Sequence, residues 1–109
     1  MLILQVVPRA GIDAYRILRA KVTHEARTWS WKNKAKTKLQ HLQYRPGYIE
    51  VGNAEGVVIA RIMPVEEKDQ FFLAEKFIGR LIAWFAEDLA AINLQFLREA
   101  PRAKKRKKR

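Results

Sequence analysis

Residues 66–98 read EEKDQFFLAEKFIGRLIAWFAEDLAAINLQFLR. Placed at about 100° per residue, Phe71, Ala74, Ile78, Leu81, Ile82, Phe85, Leu89, Ile92 and Phe96 share one face. Leu73, Phe77 and Trp84 flank it, and Gly79, Ala83, Ala86 and Ala90 form a row of small residues on the other side. A surface helix needs an apolar arc of only about 100°. This stretch has more, so it should be covered on more than one side. Glu66, Glu67 and Asp69 suit the start of a helix, where negative charge meets the positive end of the macrodipole. Pro101 would stop it. The expectation is one long C-terminal helix over about 66–98, with the rest of the chain arranged around it.

Immediately upstream, Arg45-Pro46-Gly47 reads as a turn. Tyr48-Ile49-Glu50-Val51 alternates as a strand with Ile49 and Val51 inward, and Asn53 to Gly56 forms a tight hairpin loop. In the partner strand, Val57 to Met63, residues Val58, Ala60 and Ile62 share a face and Arg61 points to the other. Leu2 to Val7, closed by Pro8, reads as a buried strand. Residues 12–27 carry two patterns. Leu18, Ala20 and Val22 alternate as in a strand, yet Asp13 can cap a helix that turns Ala14, Leu18 and Val22 inward; the helix is preferred. Residues 30–43 are also double. Ser30 can cap a helix with Trp31, Ala35, Leu39 and Leu42 in one stripe of good helix formers, whereas a strand would put Lys32, Lys34, Lys36 and Lys38 on one face. Here too the helix is preferred. The fold class that follows is α+β: a two-layer sandwich of a small antiparallel sheet on the long helix, with one or two earlier helices. Residues 1–100 are expected to form one domain and 101–109 a disordered basic tail.

The net charge is +11 over 109 residues, and it is uneven. Residues 1–45 hold ten Lys/Arg against two acids, residues 46–100 five against nine, and residues 101–109 seven against none. Such asymmetry points to a polyanionic partner. There is no cysteine, which excludes disulfides, thiolate nucleophiles and cysteine-ligated metal and fits a reducing cytoplasm. No run approaches the ~20 apolar residues of a membrane span, so a soluble cytoplasmic protein is expected. His24 and His41 are the only histidines and Ser30 the only serine, and the five glycines are scattered singly. Neither a metal site, a nucleophile elbow nor a phosphate loop is written in the chain. No cofactor and no enzymatic activity are therefore expected.

Two segments carry the functional reading. Arg27, Trp29, Trp31, Lys32, Lys34, Lys36, Lys38 and Arg45 interleave cations with indoles; lysines neutralise phosphates and exposed indoles stack on bases. The tryptophans have a second reading as core anchors, the commoner fate of large aromatics in a small domain. Lys104, Lys105, Arg106, Lys107, Lys108 and Arg109 form a tail suited to phosphate backbones without sequence preference. The sequence thus reads as a small nucleic-acid-binding protein, for RNA or DNA. The alternatives are a homodimeric interaction module packed through Gly79, Ala83, Ala86 and Ala90, and a small-ligand carrier with an apolar pocket lined by Phe71, Ile78 and Phe85.

Overall fold

The computed structural model describes residues 1–44 and 47–97. The fold is α+β, with a six-stranded antiparallel sheet and two helices. In chain order the elements are β1 (Leu2–Pro8), α1 (Ala14–His24), β2 (Trp29–Trp31), β3 (Lys38–His41), β4 (Tyr48–Ala54), β5 (Val57–Met63), α2 (Asp69–Phe85) and β6 (Leu89–Phe96). The strands lie in the order β2-β3-β4-β5-β1-β6. Both helices sit against one face of this sheet. That face presents Leu2, Leu4, Val6, Leu39, Ile49, Val51, Val58, Ala60 and Ile62, which join Ala14, Leu18 and Val22 of α1 and Leu73, Phe77 and Leu81 of α2 in one apolar core. The other face carries the alternate residues, Lys38, Tyr48, Glu50, Ile59, Arg61, Ile3 and Gln5 among them.

The N-terminal strand, the α1 helix and the β4–β5 hairpin fall where the sequence places them. Asp13 caps α1 by accepting from Arg16 N–H at 3.0 Å, and Ala14, Leu18 and Val22 are its buried residues. The β4–β5 loop is two residues long. Glu55 and Gly56 both take positive φ, 55° and 92°, the geometry that matches the twist of a hairpin. Asn53 Oδ1 accepts from Gly56 N–H at 2.8 Å, and the Gly56 carbonyl accepts from Ala14 N–H at 2.7 Å. The hairpin tip is thereby pinned to the start of α1. Gly47 has φ of 102°, and a Cβ there would collide with the Met63 carbonyl oxygen, so only glycine starts β4 at this distance from β5.

Two expectations are corrected. The helix over 66–98 ends at Phe85, and residues 89–96 form β6 instead. The reason is a second period hidden in the first: Ile92-Asn93-Leu94-Gln95-Phe96 alternates, and Leu94 fits that alternation but not the helical face. The buried strand β1 also needs a hydrogen-bonding neighbour on each side; β5 provides one and β6 the other. Within α2 the buried face is Gln70, Leu73, Ala74, Phe77, Leu81 and Phe85, rotated from the expected one, so that Phe71 and Ile82 are both 55% exposed. The helix over 30–43 is a β-hairpin. Trp29 pairs with His41, Ser30 with Gln40 and Trp31 with Leu39. Ser30 is no helix cap: its Oγ accepts from Gln40 Nε2 at 3.3 Å across the ladder. The loop between the strands is closed by Asn33, whose Oδ1 accepts from Thr37 N–H and Lys38 N–H, both at 3.1 Å. Lys36 takes the left-handed conformation at φ 58°.

No helix among the described residues is long and apolar enough to cross a membrane.

Candidate nucleic-acid interface

The β2–β3 hairpin carries Lys32, Lys34, Lys36 and Lys38 in and beside its loop. Neighbouring elements bring further groups to them. Tyr15 Oη donates to the Lys36 carbonyl at 2.9 Å, tying the hairpin tip to α1. The Arg19 guanidinium lies 5.8 Å from the Tyr15 ring centroid, and Arg16 and Arg19 are both exposed. On the helix-free sheet face, Tyr48 at the start of β4 is approached by two ammonium groups, Lys32 at 5.1 Å and Lys38 at 5.5 Å from the ring centroid. These distances are within cation–π reach.

Carboxylates neutralise little of this surface. Among the described residues the ion pairs are Lys21–Glu25 at 2.9 Å, Arg61–Glu50 at 3.8 Å and Lys68–Glu66 at 3.5 Å. None involves Arg16, Arg19, Arg27, Lys32, Lys34, Lys36 or Lys38. Glu50, opposite Lys38 in the ladder, pairs with Arg61. Seven cations without a carboxylate partner within 4.0 Å therefore occupy α1, the α1–β2 connection and the β2–β3 hairpin.

The tryptophans take the other of their two roles. Trp29 is 2% exposed and lies in the core. It meets His41 edge-on at 4.9 Å and Phe77 at 5.7 Å between ring centroids. Trp29 thus offers no face to a base, and its place among the candidate contacts is withdrawn. Trp31 is half-buried and packs on the same core. Its indole N–H, like that of Trp29, is buried without an acceptor among the described residues. Arg27 is exposed just before β2. Arg45 and Lys104, Lys105, Arg106, Lys107, Lys108 and Arg109 lie outside the described residues. Sequence reasoning missed Arg16, Arg19, Tyr15 and Tyr48. The charge excess of residues 1–45 contained the two arginines, but nothing in the sequence linked helix α1 to a hairpin some fifteen residues further on.

His41 closes the far end of the hairpin. Its Nδ1 accepts from Gln43 N–H at 3.2 Å and Tyr44 N–H at 2.8 Å, which requires an unprotonated Nδ1. Burial lowers its pKa below the ordinary 6.5, and the nearby Lys76 lowers it further. The unfolded chain therefore takes up a proton below pH about 6.5 that the folded chain refuses. Stability is full above that pH and is lost as pH falls towards the folded-state value. Thermal melts should show a lower midpoint at about pH 5.5 than at about pH 7.5, and His41→Gln should flatten that dependence.

The other candidates separate spatially. Among the described residues no group of three His, Asp or Glu side chains is placed to hold a metal ion. Phe71 and Ile78 line a groove of about 370 Å³ together with Leu2, Leu94 and Phe96; Phe85 is buried in the core and does not line it. A larger cleft, about 680 Å³, lies at the Lys32–Tyr48 end, with Met63, Pro64, Glu67 and Gln70 in its walls. The four small residues form no single helical row: Gly79 and Ala83 lie on α2, Ala86 follows it, and Ala90 lies on β6.

Neither a protein-family model, a curated protein nor a solved structure gives a significant match to this chain.

Proposed function

We propose that the chain is a non-enzymatic nucleic-acid-binding protein that grips phosphate backbones with the β2–β3 hairpin and the exposed side of α1. The observation that carries this reading is the set of seven cations without carboxylate partners, held on adjoining elements by the Tyr15–Lys36 hydrogen bond. None of these seven is neutralised by a carboxylate within 4.0 Å, so their charge is available to an external polyanion. Tyr48, flanked by Lys32 and Lys38, supplies an aromatic face on which an unpaired base can stack. The basic residues 102–109 add charge of the same sign.

The test is fluorescence anisotropy with generic single-stranded and duplex RNA and DNA at several salt concentrations. Log affinity should fall linearly with log salt, by roughly 0.7–0.9 per phosphate contact. Deleting residues 102–109 should flatten the slope without abolishing binding, because the hairpin and α1 remain. Absence of binding to any of the four nucleic acids at low salt would remove the proposal.

A further inference from the structure

The two edges of the sheet are built differently. At one end β2 is three residues long, a short edge of the kind that discourages further pairing. At the other end β6 is the longest strand of the fold, eight residues, Leu-Ala-Ala-Ile-Asn-Leu-Gln-Phe, with no charged residue and no proline. An edge of this kind templates another strand unless it is covered.

The hydrogen-bond pattern shows which groups are left. Met1 and Leu97 exchange both backbone bonds, at 3.0 and 2.8 Å. In an antiparallel ladder bonded and non-bonded pairs alternate, so Gln95, Asn93 and Ala91 bond to β1 through Ile3, Gln5 and Val7. The N–H and C=O groups of Ile92, Leu94 and Phe96 therefore point away from the sheet. The side chains of these same three residues lie on the helix side. There they continue into the apolar flank of α2: Phe71, Ile78, Gly79 and Phe96 line one groove between α2 and β6, and Ile82, Ala86 and Ile92 line its extension. Phe71 and Ile82 are 55% exposed and Phe96 68%.

We infer that this edge is a homodimer interface, in which β6 pairs antiparallel with β6 of a second copy to form a continuous twelve-stranded sheet. The strand is self-complementary. With Leu94 opposite its own counterpart, Ile92 faces Phe96 on the helix side, and Asn93 faces Gln95 on the open side. There the amide row already begins with Asn93 Nδ2 donating to Gln5 Oε1 at 3.5 Å. A two-fold axis normal to the sheet keeps both α2 helices on one face, each turning Phe71 and Ile82 towards the junction. In this register residues 91–97 of the two copies overlap, about 23 Å of strand edge. With the ~20 Å height of a sheet carrying one helix layer this is roughly 460 Å², somewhat below the ~600 Å² per partner at the low end of specific interfaces, so the dimer is expected to need high concentration. Residues 98–109 carry no large apolar side chain. The proposed nucleic-acid surface lies at the opposite edge and stays free.

Sedimentation velocity at high micromolar concentration tests this, together with amide hydrogen exchange. Wild type should sediment as two copies of the 12.7 kDa chain. The Ile92, Leu94 and Phe96 amides should exchange slowly. Phe96→Lys and, separately, Ile82→Lys place a charge at two exposed sites outside the core; each should give a monomer of unchanged circular dichroism. In the Phe96→Lys monomer the Ile92 and Leu94 amides should exchange at least tenfold faster. A monomeric wild type overturns the inference. So does a dimer in which the Ile92 and Leu94 amides exchange freely, or one that survives a folded Phe96→Lys.

Discussion

Trp29→Ala is expected to lower the stability of the fold by about 3–5 kcal/mol, the range for removing a large aromatic from a packed core. Trp29 is buried to 2% and touches elements distant in sequence: His41 across the hairpin and Phe77 from the middle of α2. It fastens the hairpin that carries the lysines to the helix layer. Its loss should thus loosen the β2–β3 edge before the rest of the sheet. Chemical denaturation should show a large drop in midpoint, and hydrogen exchange should locate the first opening at residues 29–41. Trp29→Phe should cost much less, since it keeps an aromatic ring in the core and removes an indole N–H that has no acceptor among the described residues. Trp31→Ala, at a half-buried site, should cost about 1–2 kcal/mol. Were Trp29 a stacking residue, the alanine variant would lose affinity at unchanged stability, the reverse of what its burial requires.

The same residue shows why the hairpin was hard to read in the sequence. Trp31, Ala35, Leu39 and Leu42 keep helical spacing, and Lys, Ala, Leu and Gln favour a helix locally. The competing signal, Trp29 with Trp31 and Leu39 with His41 on alternate positions, is split by a six-residue loop. That loop has neither glycine nor proline: Asn33 closes it through its side chain, and Lys36 takes the left-handed turn position. No turn signature therefore marked it. β6 was hidden in a different way. Leu89, Ile92 and Phe96 extend the apolar face of α2, and the strand period of Ile92, Leu94 and Phe96 overlaps with it. Pairing with β1, a contact across more than eighty residues, decides between them. By contrast the β4–β5 hairpin and α1 were legible, because their strand alternation, loop residues and Asp13 cap all agree locally. The charge excess of the first 45 residues was equally plain, but its gathering on two adjoining elements, α1 and the hairpin, is seen only in the Tyr15–Lys36 bond.

That gathering leads to the largest expected change in binding. Replacing Lys32, Lys34, Lys36 and Lys38 together by glutamine should weaken nucleic-acid affinity by about a thousandfold near 0.1 M salt, at roughly 0.7–0.9 logarithmic units per lost contact and decade of salt. The salt slope should fall by about three at the same time. The fold should tolerate the change. Lys32 and Lys34 are exposed, and none of the four is ion-paired among the described residues. Lys32 and Lys38 each forgo a cation–π contact with Tyr48, about 0.5–1 kcal/mol at an exposed site. Subsets of the four then discriminate within the surface. Lys34→Gln with Lys36→Gln strips the hairpin tip beside α1 and should reduce the slope for duplex and single strands alike. Tyr48→Ala removes an aromatic face and no charge; it should leave the slope unchanged and weaken single strands by about 1–3 kcal/mol while sparing duplexes. A quadruple variant that is folded and binds as tightly as wild type, with the same slope, would show that the hairpin takes no part. The affinity would then have to come from α1 or from residues 102–109.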